Sequence, residues 1–190
     1  MKTMNYLNKT KIFFLAITAA TFTSCDNDDA PVNEEELITT VIVNLTSGGQ
    51  TVTFTSKDLD GDGPNPPVIT PVSGNLAPNT TYTGTISFLD ETDTPAEDIT
   101  IEVEEEGAEH QVFYQVSNSL GTVTYNDTDV NGKPIGLLFT LTTTGTGTGN
   151  FSVILRHELN KNAAGVSAGN IANAGGSTDV AVTFPIVVGN

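Results

Sequence analysis

Two aspartate-rich loops, two histidines and one cysteine are the residues of this 190-residue chain whose types and spacing could do chemistry. The loops Asp58-Leu-Asp60-Gly-Asp62-Gly63 and Asp127-Thr-Asp129-Val-Asn131-Gly132 both match D-x-[DN]-x-[DN]-G, the opening half of a calcium loop. In that pattern alternate oxygens converge on a hard cation while glycine permits the sharp turn. Asp58, Asp60, Asp62, Asp127, Asp129 and Asn131 are therefore the candidate calcium ligands. The twelfth positions hold Ile69 and Leu138 in place of a bidentate glutamate, and the same Asp, Asn and Gly residues suit ordinary hairpin turns. His110 and His157 form the second constellation. His110 begins and His157 ends a run of alternating apolar residues, and each has an acidic neighbour, Glu109 or Glu158. Glu102, Glu106 and His110 are spaced four apart, so they share a stripe if a helix reaches that far. If the two strand ends meet, His110 and His157 with Glu106, Glu109 and Glu158 could hold zinc or another borderline divalent metal. Two rim histidines hydrogen-bonded to carboxylates would look the same in sequence.

The cysteine points to an address rather than to catalysis. Residues 1–11 hold Lys2, Lys9 and Lys11 and no acid, and 12–22 are apolar residues, alanine and threonine. That stretch is too short to span a bilayer and has the pattern of an export signal. It ends in Phe22-Thr23-Ser24-Cys25, which resembles a bacterial lipobox. The expectation is a signal peptide over 1–24, a lipid on Cys25 and an acidic tether over 25–36, followed by one domain over 37–190. Asp26, Asp28, Asp29 and the run Glu34–Glu36 carry too little apolar surface to fold, so the tether should be solvated.

Seven basic residues face 23 acids, a net charge of −16; the first three lysines precede Cys25, which leaves four against 23. Nucleic acid is repelled by such a surface and is excluded as a partner. With Cys25 taken by lipid no cysteine nucleophile remains. The chain has no G-x-S-x-G elbow, no P-loop and no dinucleotide fingerprint, so no enzyme activity is expected.

The elements that must position these groups follow a period of two. Alternation runs through 37–45, 50–57, 80–89, 110–117, 121–126, 136–143, 150–157 and 178–188, with threonine frequent on the outward parity. Eight short strands between Gly, Asn, Asp and Pro clusters predict an all-β antiparallel sandwich. Pro185 on the outward parity places the last strand at an edge. Leu76-Ala-Pro78-Asn-Thr80-Thr-Tyr82 resembles the tyrosine corner of immunoglobulin-like domains, which implies a tyrosine hydroxyl bonded back across a turn. One helix, about 95–108, is expected where Thr94-Pro95-Ala96-Glu97 reads as a capping box with proline at the first turn. Residues 160–177 read as a long loop, either a lid or slack.

The acidic start, EEELITTVIVNL, KDLDGDG, TPAEDIT with its glutamate run, and LRHELNK together resemble small flavobacterial (Bacteroidetes) surface lipoproteins often labelled "type 1 periplasmic binding fold superfamily protein". The label implies a two-lobed α/β receptor, whereas the strand pattern predicts a sandwich. It also implies solute capture outside the cell. The expected location is the outer membrane, attached through the N-terminal lipid, facing the exterior or the periplasm. The expected role is metal-ion or solute capture beside a TonB-dependent outer-membrane receptor. The alternative is a calcium-stabilised structural or adhesive surface module.

Overall fold

A computed structural model describes residues 36–61, 64–70, 74–92 and 94–189. All belong to one compact unit, Glu34–Asn190. Cys25, Asp62 and the signal and tether segments before residue 36 lie outside the described residues.

The chain is an all-β antiparallel structure of two sheets. The larger contains β1 (Thr40–Ser47), β2 (Gln50–Lys57), β3 (Val68–Thr70), β4 (Thr81–Asp90), β5 (Glu97–Asp98), β7 (Gly121–Tyr125) and β8 (Leu138–Thr143). Its strand order is β3-β2-β1-β4-β8-β7, with β5 beside the end of β4. The smaller sheet is β10-β9-β6, formed by β6 (His110–Val116), β9 (Gly147–His157) and β10 (Ser177–Val188). The eight strands expected from alternation are all present, and β3 and β5 are two short additions.

Local sequence accounts for the connections. Gly48 and Gly49 both have positive φ, 58° and 79°, and join β1 to β2 as a two-residue hairpin that side chains would strain. Val41, Val43, Phe54 and Phe88 from one sheet pack against Val112, Phe151, Val153 and Phe184 from the other. Burying a side chain of that size stabilises the fold by about 1.5–3 kcal/mol. The Tyr82 hydroxyl accepts a hydrogen bond from the Ala77 N–H at 2.7 Å, so the expected bond across that corner is present. β10 is an edge strand, with Pro185 exposed on it.

The helix departs from the expectation. It is α1, Ile99–Glu105, and its N-cap is Asp98, whose side chain accepts from the Thr100 N–H. The Thr94–Glu97 capping box does not form, because Glu97 and Asp98 pair as β5 with Asp90 and Leu89. Only Ile99 and Val103, one turn apart, are buried, so the apolar stripe supports two turns and no more. Residues 159–174 are neither lid nor slack. Leu159, Val166 and Ala174 pack on Phe113 as a small second core over the outer face of the smaller sheet. Gln111, fully buried, donates from Nε2 to the Val166 carbonyl at 2.9 Å and anchors that cover.

Candidate metal centre

His110 begins β6 and His157 ends β9, and antiparallel pairing sets them directly opposite one another. Opposite residues in such a pair project to the same face. Their parity is that of Val112, Tyr114, Leu155 and Val153, so both rings point between the sheets at one end of the core. They stack, with centroids 4.4 Å apart and planes 17° from parallel. His110 is fully buried and His157 is 6% exposed.

The expected meeting of the two histidines therefore occurs. Its inner carboxylates are not the expected ones, however. Glu36 and Asp179 complete a group of four with the imidazoles, each residue offering one ligand atom and these four atoms lying within 4.8 Å of one another. Glu36 Oε1 is 2.8 Å from His110 Nε2, Glu36 Oε2 is 3.8 Å from His157 Nδ1, and Asp179 Oδ2 is 3.9 Å from His110 Nε2. Glu36 was expected in the solvated tether, yet its side chain is 4% exposed; that of Asp179 is fully covered. Of the expected carboxylates, Glu109 and Glu158 form an outer group with His157, and Glu109 Oε2 is 3.7 Å from His157 Nε2. The Glu106 carboxylate groups instead with Glu36 and Glu102.

Glu106 does act on His110, through its backbone. His110 Nδ1 lies 3.2 Å from the Glu106 carbonyl oxygen. A carbonyl can only accept, so Nδ1 carries the proton and donates it, and a neutral ring then turns its lone pair inward on Nε2. That nitrogen makes no hydrogen bond despite its closeness to Glu36, and neither do His157 Nδ1 and Glu36 Oε2. The group sets two carboxylates beside two imidazoles, a concentration of negative charge wherever the rings are neutral. Burying such charge uncompensated costs several kcal/mol per ion. A divalent cation at the centre would neutralise it and give each inward lone pair a partner. Nearby, Glu102 is raised above the ordinary carboxylate range, by burial first and then by the negative charges of Glu36, Glu106 and Glu97.

The second aspartate loop is tied by donors from the protein itself. Asp127 accepts from the Gly136 and Leu138 N–H groups, both at 2.8 Å. Asp129 Oδ1 accepts from the Asn131 and Lys133 N–H groups, and its Oδ2 accepts from Lys161 Nζ at 2.9 Å. Lys161 also donates to the carbonyls of Pro134 and Gly107. Its ammonium pairs with the Asp129 carboxylate, and both side chains are buried, at 4% and 1% exposure. Burial alone would raise the Asp129 carboxyl; the Lys133 N–H, Lys161 and the Asn131 N–H outweigh it and hold the group below its ordinary range. Asn131 contributes its N–H to this loop. In the first loop Asp60 accepts from both the backbone and the side-chain nitrogen of Asn65. Asp58 Oδ1 is buried without a hydrogen bond.

Sequence reasoning missed Glu36, Asp179 and Lys161. Each was hidden by its context: an acidic run, an outward strand parity and a small-residue loop. Comparison with protein-family models, with curated proteins and with solved structures gave no match.

Proposed function

We propose that this chain is a non-enzymatic, extracytoplasmic binding protein that captures a borderline divalent metal ion such as zinc. The ligands are His110, His157, Glu36 and Asp179, a nitrogen–oxygen set of the kind that zinc accepts in tetrahedral geometry. The lipid on Cys25 would hold the protein at the outer membrane, where it serves as an accessory that passes ions toward a TonB-dependent receptor. The observation that carries this reading is the buried, stacked histidine pair, its inward nitrogens unbonded and faced by two buried carboxylates. The carbonyl of Glu106 plays the outer-shell part that fixes ring orientation in metal sites. Glu109 and Glu158, nearer solvent, suit first contact with the arriving ion.

Calorimetric titration of metal-free protein with zinc tests this. One ion per chain is expected. His110→Gln and His157→Gln should each weaken binding beyond the 10–100-fold typical of an outer-shell change. Zinc affinity that is unchanged in both variants sinks the proposal.

A further inference from the structure

Beside the metal centre, a cavity of about 410 Å³ opens between the start of the larger sheet and the edge strand β10. Its walls are aliphatic: Leu37, Ile38 and Val41 on one side, Val180 and Val182 on the other. Its polar lining includes three carboxylates, Glu36, Asp58 and Asp179, and among the described residues no lysine, arginine or histidine. Two of the oxygens there are buried and have no hydrogen bond: Asp58 Oδ1, and Glu36 Oε2 on a side chain that is 4% exposed.

These observations constrain the occupant. A buried oxygen left without a donor costs about 1–3 kcal/mol, and more when charged. The occupant must therefore bring donors and positive charge. A metal ion at the histidines does not supply Asp58, which is outside the four-residue group. A few waters, at about 30 Å³ each, would satisfy oxygens but leave the aliphatic walls wet. The volume instead lies in the range of small-molecule sites.

We propose that this cavity binds an aliphatic primary amine, its ammonium on the Asp58 and Glu36 carboxylates and its alkyl body against Ile38, Val41, Val180 and Val182. The site overlaps the metal centre at Glu36 and Asp179; the two are told apart by Asp58, which is outside the four-residue group, and by the histidines, which do not line the cavity.

The probe is 1,5-diaminopentane, titrated calorimetrically into the full chain, with pentanoate as the anionic control. Saturable binding of the diamine and none of pentanoate is expected. Asp58→Asn should weaken the diamine by about tenfold or more, the value of one charge-assisted hydrogen bond, and leave zinc affinity unchanged. Val180→Lys, which supplies an ammonium from the wall itself, should abolish diamine binding while the far-ultraviolet circular dichroism stays that of the parent. His110→Gln should lose zinc and keep the diamine. Absence of saturable diamine binding overturns the proposal, as does equal affinity in the parent and Asp58→Asn. Calcium binding that Asp58→Asn abolishes, without any response to the diamine, overturns it in favour of a hard-cation loop.

Discussion

At the scale of single residues, two buried charged groups have different fates. Lys161 and Asp129 neutralise each other inside the protein and tie three segments together, since the ammonium also holds the Gly107 and Pro134 carbonyls. Lys161→Met leaves Asp129 buried and unpaired, so stability should fall by about 3–5 kcal/mol in urea unfolding. The pH dependence has a definite sign. Asp129 is held below its ordinary carboxylate range, so its contribution is fully present above the unfolded value. That contribution is lost as pH falls through the lower folded value. Acid unfolding of the parent should extend into this acidic window, and in Asp129→Asn that part of the pH dependence should vanish. The histidine–carboxylate group is a different case, since two of its four members are imidazoles. Its zinc affinity should fall as pH drops through the ordinary imidazole range, because protons and metal compete for one lone pair. Calorimetric affinity that is flat across that range would contradict the ligand assignment.

At the scale of elements, the histidines were legible in sequence and their partners were not. A strict period of two puts His110 and His157 on the inward parity of two strands, and antiparallel pairing does the rest. The same period puts Asp179 on the outward parity, opposite to Val180, Val182 and Phe184. The register shows why that reading fails: Thr178 faces Arg156 and Val180 faces Leu155, so Asp179 is one extra residue. A bulge of this kind re-aims a side chain, here toward the histidines. Nothing in composition marks it. Deleting Asp179 should restore a regular ladder and keep the fold, yet abolish zinc binding as thoroughly as Asp179→Asn, by calorimetry. A deletion variant that binds zinc as the parent does would show that the bulge does not serve the site. Gly176 enters β10 with φ +68°, and a Cβ there would meet the His157 carbonyl oxygen. Gly176→Ala should therefore cost about 1–2 kcal/mol for the backbone conformation alone. Helix length failed for a related reason: the Thr94–Glu97 pattern satisfies a helix start, but the chain takes two residues of sheet pairing first.

At the scale of the whole molecule, alternation and turn chemistry were enough to anticipate eight strands and the all-β class. They could not anticipate Glu36, because an acidic run looks the same whether its last member is solvated or buried. Ligand binding to the folded state alone raises stability by mass action. Zinc at a hundred times its dissociation constant should add about 2.7 kcal/mol, an increase of about 5–10 °C in Tm for a chain of this size. A Tm indifferent to zinc and to chelator would contradict a site assembled from four separate segments. The address is tested separately: Cys25→Ala should release the protein from membranes into the soluble fraction, and membrane retention of that variant would contradict lipid anchoring.

Glu36 also has a mechanical consequence. It is the point where the described fold begins, and its carboxylate sits against β6 and β9 before the chain enters β1. β1 lies between β2 and β4, hydrogen-bonded on both sides. A tug delivered through the N-terminus therefore loads the Glu36 contact first and can strip β1 only by shearing two ladders at once. An ion gripping that carboxylate would act as a buckle on the strap, so a chain fastened at its N-terminus would resist drag most with the ion in place.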